Sequence, residues 1–133
     1  MKFLVAFILT VAVCFVQAGV TEEQKKKIES YHKECSKQTG IDEDLVNKAR
    51  NGQYTDTQIL KDYLFCTSKL AGFINDNNEL QKDVILQKTS VSTKDSAAAQ
   101  KMFEACAVPQ KNGPETSYHV LKCYYEKSGL SLV

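Results

Sequence analysis

The chain of 133 residues has no tryptophan, only two prolines and two histidines, and no Asn-x-Ser/Thr site. The last absence excludes N-glycosylation at a standard acceptor. No stretch alternates apolar and polar residues as a half-buried strand does, which argues against a sheet. No basic run is long enough to track a phosphate backbone. The densest patch, Lys25-Lys26-Lys27, is surrounded by Glu22, Glu23 and Glu29, so it reads as the solvated face of a helix and nucleic acid is not expected as a partner. There is no Cys-x2-Cys pair of the kind zinc sites favour. There is no Gly-x-Gly-x-x-Gly, no phosphate loop, no Gly-x-Ser-x-Gly and no His-Glu-x-x-His. His and Asp do not flank a cysteine pair as they would in a secreted phospholipase. Nucleophilic catalysis needs a nucleophile, a base and an orienting group, and nothing here assembles them. The expectation is no enzyme, no metal and no cofactor.

One long apolar run is present, Phe3 to Val16, preceded by Lys2 and followed by Val16-Gln17-Ala18. This is the pattern of a secretory signal with small residues at the cleavage positions, so residues 1–18 are expected to leave as a signal peptide and residues 19–133 to form a single helical domain. The run is short for a spanning helix and no later segment approaches membrane length, so no membrane span is expected. Without Lys2, basic and acidic residues balance at 16 each. Cys14 falls inside the leader. Four cysteines remain, Cys35, Cys66, Cys106 and Cys123, spaced Cys-x30-Cys-x39-Cys-x16-Cys. Secretion implies an oxidising compartment, where an even set of cysteines closes into two disulfides. Four cysteines permit three pairings, and spacing does not choose among them.

The body of the chain has the helical period almost throughout, and six helices are predicted. The first spans about Glu22 to Gln38, with Thr21 as N-cap, Ile28, Tyr31 and Cys35 on one face, and Gly40 closing it. His32 is read as facing water on this helix. The second spans about Asp42 to Arg50 and stops at Asn51-Gly52. The third begins after Thr55-Asp56, a capping pair, and buries Ile59, Tyr63, Cys66 and Leu70. Asn75 to Asn78 is a turn. A short fourth helix runs from Glu79 to about Gln87, and Thr89 to Ser92 is a loop. Thr93 or Asp95 caps the fifth helix, which ends near Cys106. Pro114 suits the first turn of the sixth, which ends near Ser128-Gly129. Each cysteine falls on an apolar helix face.

Leader, length, helical pattern and cysteine spacing together resemble the insect odorant-binding proteins of the pheromone-binding and general odorant-binding class. In members with an additional bridge, the extra cysteines would fall near Asp62 and Pro114, and neither is cysteine here. The chain therefore resembles the four-cysteine, minus-C subgroup. That resemblance implies the pairings Cys35–Cys66 and Cys106–Cys123. It also implies an all-α bundle of six short helices, stapled by two disulfides around an apolar cavity. The absent bridge would have joined the third and sixth helices.

Inner helix positions suggest a ligand lining of Ile59, Tyr63, Leu70, Phe73, Val84, Met102, Phe103, Val120, Tyr124 and Leu132. A tyrosine hydroxyl among them offers a hydrogen bond to a polar oxygen of the guest. The tail Gly129 to Val133 is short and apolar enough to fold back over the cavity as a lid. His119, on or beside the inner face of the sixth helix, offers a protonation switch. The expected function is a secreted, extracellular carrier that binds a small hydrophobic molecule (odorant, pheromone or lipid-like) and releases it unchanged, with an olfactory receptor as a possible extracellular partner, acting as a monomer or weak dimer. The competing reading is a secreted salivary or haemolymph factor that binds a protein or an amine on the same fold.

Overall fold

A computed structural model describes residues 22–93, 96–129 and 131–133, with the side chains of residues 90–93 left aside. The expected leader and the caps expected at Thr21 and Asp95 lie outside the described residues. Within them the chain forms six helices: α1 Glu22–Thr39, α2 Glu43–Arg50, α3 Gln58–Leu70, α4 Lys82–Thr93, α5 Ser96–Cys106 and α6 Gly113–Ser128. None of them is long and apolar enough to cross a membrane.

Local chemistry sets most of the boundaries. Glu22 and Glu23 occupy the first turn of α1, where the helix dipole favours anions. Asp42 is the N-cap of α2, accepting from the Asp44 amide, and Asn112 caps α6, accepting from the Glu115 amide at 2.9 Å. Gly129 ends α6 in the left-handed region at φ 71°, a conformation that glycine adopts without penalty.

Three sequence expectations need correction. The cap of α3 is Thr57, not the Thr55-Asp56 pair; its hydroxyl accepts from the Leu60 amide at 3.4 Å, while the Asp56 carboxylate reaches Lys61 at 2.7 Å instead. The fourth helix starts at Lys82 rather than Glu79. Asn75 Oδ1 accepts from the amides of Asn77 and Glu79, and Ile74 and Leu80 form an antiparallel bridge, so this stretch is held in a turn. Residues Thr89 to Ser92 are not a loop but the continuation of α4. Thr89 is buried and donates back to the Ile85 carbonyl at 2.8 Å, so its hydroxyl is satisfied inside the helix. Thr93 accordingly ends α4 instead of capping α5.

The helices pack chiefly as α3 on α6, α4 on α5, α1 on α3 and α5 on α6. Cys35 is bonded to Cys66, tying α1 to α3, and Cys106 to Cys123, tying α5 to α6. Closing loops of these lengths restricts the unfolded chain by roughly 2–4 kcal/mol each. Two apolar clusters make the core. One gathers Cys35, Val46, Ala49, Leu60, Tyr63, Leu64 and Leu121. The other gathers Phe73, Ile85, Cys106, Val120 and Tyr124. Leu132, in the tail, packs against both.

Candidate functional site

The buried stripe of α3 is Leu60, Tyr63, Leu64, Thr67 and Ser68. Continued at helical spacing it reaches Ala71 rather than Leu70, and Leu70 is indeed 39% exposed, which corrects its placement among the buried residues. Tyr63, Thr67 and Ala71 form the floor of a cleft. Gln24, Lys27, Ile28 and Tyr31 of α1 make one wall, Phe73 from the segment after α3 and Lys88 of α4 make another, and Ser131, Leu132 and Val133 of the tail close one side. The cleft holds about 150 Å³. Side chains of mixed origin meet here because α1 is stapled to α3 by Cys35–Cys66, while the tail returns past Gly129 to bury Val133 in the core.

Beyond Phe73 and Leu132 lies a second, smaller cavity of about 10 Å³, which also touches Ser117, Val120 and Tyr124. That is about the space of a single water. Phe73 and Leu132 line both spaces, so these two side chains form the partition.

Of the residues suggested by the sequence, Tyr63, Phe73 and Leu132 line the cleft, and Val120 and Tyr124 line the inner cavity. Val84, Met102 and Phe103 pack against the second core cluster, and Ile59 against the first. These four, with Leu70, line neither space. Missed by the sequence reading were Lys27, Thr67, Ala71, Lys88 and Ser131. Lys88 follows Val84 by one helical turn, but a helix ended at Gln87 hides that relation.

Tyr63 joins the cleft to the surface. His32 Nδ1 lies 2.7 Å from the Tyr63 hydroxyl, and its Nε2 lies 2.9 Å from the Glu43 carboxylate. A carboxylate only accepts, so Nε2 carries the proton, and in the neutral ring Nδ1 accepts from the phenol. The phenol's own proton is thereby engaged, and its oxygen can still accept. His32 is 17% exposed at its side chain; the expectation that it faces water is corrected by these two bonds. Burial pushes the Tyr63 hydroxyl up to about 12, with a further rise from Glu43 opposed by Arg50. Burial likewise pushes Tyr124 up to about 12, with the Thr89 hydroxyl acting in the other direction. At the rim, Lys88 Nζ donates to the Ala71 carbonyl at 2.9 Å and stands 5.4 Å from the Phe73 ring centre. Burial lowers its pKa, and the charge of Lys27 adds to that.

His119 lies elsewhere. It borders a polar groove of about 370 Å³ with Glu115, Tyr118, Lys122 and Glu126, not the apolar cleft; of the two placements expected, on or beside the inner face of α6, it takes the second, next to the buried Val120.

The sequence profile of the PBP/GOBP family matches residues 17–127. The B1 protein of Tenebrio molitor is 30% identical over 120 residues, covering 90% of this chain and 89% of that one. Among solved structures, Apis mellifera odorant binding protein 5 superposes with a TM-score of 0.70 at 20% identity, covering 83% of this chain and 93% of its own. The fatty acid binding protein OBP56a from the oral disk of the blowfly Phormia regina gives a TM-score of 0.68 at 26% identity, covering 84% and 97%.

Proposed function

The chain belongs to the PBP/GOBP family, and from that premise we propose that it is a carrier that buries a small hydrophobic molecule in the cleft between α1, α3, α4 and the tail. The guest is held without chemistry and released intact. The observation that carries this reading is the cleft itself: a partly enclosed space of about 150 Å³, walled by Ile28, Tyr31, Ala71, Phe73 and Leu132. A preformed apolar hollow of this kind is the usual seat of a small ligand. The blowfly relative, a fatty acid binding protein, supports the same reading.

The energetics are adequate for reversible carriage. Burying about ten methylenes contributes roughly 8 kcal/mol at about 0.8 kcal/mol each. Association opposes this by about 4 kcal/mol or more, and packing contacts with one hydrogen bond offset part of that. Affinity near micromolar corresponds to about −8 kcal/mol, tight enough to hold and weak enough to release.

The carrier reading extends to an extracellular setting. Residues 1–18 serve as the leader, Cys14 departs with them, and the four remaining cysteines are the two bridges of a minus-C member. The tail residues Ser131 to Val133 act as a lid, because they line the cleft from one side. An amine guest fits less well, since Lys27 and Lys88 both border the cleft and repel a cation.

Displacement of a fluorescent naphthylamine probe tests the proposal. The protein is expected to bind one probe, to lose it to medium-chain alcohols or esters, and to lose probe binding when Ala71→Trp fills the floor. Absence of probe and ligand binding, or full binding by Ala71→Trp, would overturn it. Thiol titration of the secreted protein is expected to find no free cysteine.

A further inference from the structure

Resting on the carrier reading, the charge of the cleft narrows its guest. Two lysines from different helices line the same space, Lys27 on α1 and Lys88 on α4, while no carboxylate side chain is present in the lining among the described residues. Lys88 is anchored at the rim, its Nζ 2.9 Å from the Ala71 carbonyl and over the Phe73 ring. Lys27 reaches its nearest acid, Glu23, only at 4.0 Å and in the open, where such a pair contributes little. The two lysines are close enough for the charge of Lys27 to weigh on Lys88, which burial already disfavours as a cation. Ser131 lines the same cleft, and its Oγ is buried without a hydrogen-bond partner among the described residues. Ile28, Tyr31, Phe73 and Leu132 supply the apolar surface alongside.

We propose that the guest is an amphipathic anion: a medium-chain carboxylate whose head group sits between Lys88 and Lys27, accepts a hydrogen bond from the Ser131 hydroxyl, and lays its alkyl chain against Phe73 and Leu132. A carboxylate offers two oxygens and about four lone-pair positions, enough for both ammonium groups and one hydroxyl. Hydrogen bonds between ionised partners are roughly twice as strong as neutral ones. An anion seated there also relieves the mutual repulsion of the two lysines. The alkyl chain stays in the cleft, because the space around Val120 and Tyr124 beyond the Phe73 and Leu132 partition is only about 10 Å³. An alcohol of equal length fills the same apolar space without engaging the charges.

Competition for the bound naphthylamine probe at neutral pH by decanoate, decan-1-ol and methyl decanoate tests the assignment. Decanoate is expected to compete at about tenfold lower concentration than its methyl ester, as a charge-assisted contact predicts. Lys88→Met and Lys27→Met are each expected to reduce that preference while leaving methyl decanoate within about twofold, and Lys88→Arg to keep it. If Lys88→Met does not fold, Lys27→Met carries the test, because its side chain is exposed. Equal competition by acid and ester in the wild type, with the probe still bound, overturns the anion assignment and leaves the carrier reading standing. Persistence of the acid preference in the Lys27→Met, Lys88→Met double variant also overturns it. Failure of the probe and all three competitors to bind overturns both.

Discussion

Tyr63 has two tasks: its ring floors the cleft and its hydroxyl is tied to His32, itself tied to Glu43. Removing the imidazole leaves a phenol buried without that partner. His32→Ala is therefore expected to destabilise the fold by about 1–3 kcal/mol in urea unfolding, and to do so much less in a Tyr63→Phe background. Equal losses in both backgrounds would contradict the coupling. Gly52 is a second sensitive residue. It has φ +88°, and a Cβ added there would run into the Tyr125 ring, so Gly52→Ala combines backbone strain with a clash and is expected to lower stability by roughly 1–3 kcal/mol. Neither feature was legible in the sequence. His32 and Tyr63 are 31 residues apart, and the neighbours of His32 in the chain, Tyr31 and Lys33, point only to a mixed helix surface. Lys88 and Ser131 escaped notice because hydrophobic periodicity selects apolar positions, and a cation at the edge of an apolar cleft breaks that pattern.

At the scale of helices, the junction of α3 and α6 holds a three-residue ion-pair network. Lys61 and Glu115 make an ion pair at 2.9 Å, with Asp56 on the same ammonium at 2.7 Å. The hydrogen bonds to Asp56 and Glu115 hold the lysine firmly protonated, and the Lys61 bond draws the Asp56 carboxyl below its ordinary range. This noncovalent tie joins α3 to α6. Lys61→Met is expected to lower the melting temperature, and Glu115→Gln to add less in that background than in the wild type; additive losses would show that the pair is not a unit. The helices themselves were largely legible, because apolar residues recur at spacings of three and four, and acids, prolines and glycines mark their ends. Errors arose where side chains redirect the backbone. Asn75 holds Glu79 in a turn, and Thr89 returns its hydroxyl to Ile85, so α4 begins and ends later than propensity suggests. The disulfide pairing followed from the family resemblance alone, since three pairings fit the spacing equally.

Across the whole molecule, buried phenols set the alkaline limit of stability. Tyr63 and Tyr124 are raised to about 12, and Tyr54 is raised further by burial and by Tyr125 and Tyr118; the unfolded value is about 10. Between these values the native state keeps protons that the unfolded state has lost, so stability is complete below about pH 10 and falls as pH rises toward about 12. Urea midpoints are expected to decline across that window, with these tyrosines ionising only as the chain unfolds; a flat midpoint would contradict the burial argument. The presence of a hollow among stapled helices was legible as an expectation, and its position only in part: Tyr63, Phe73 and Leu132 line it, while Ile59, Val84, Met102 and Phe103 pack as core, since every apolar face serves equally well as core until the elements are docked. An amide NMR titration with methyl decanoate tests the central claim most directly. Saturable shifts gathered at Ile28, Tyr63, Thr67, Ala71, Phe73 and Leu132 are predicted. Shifts confined to the polar groove around Tyr118, Lys122 and Glu126, or no saturable shifts at all, would contradict it.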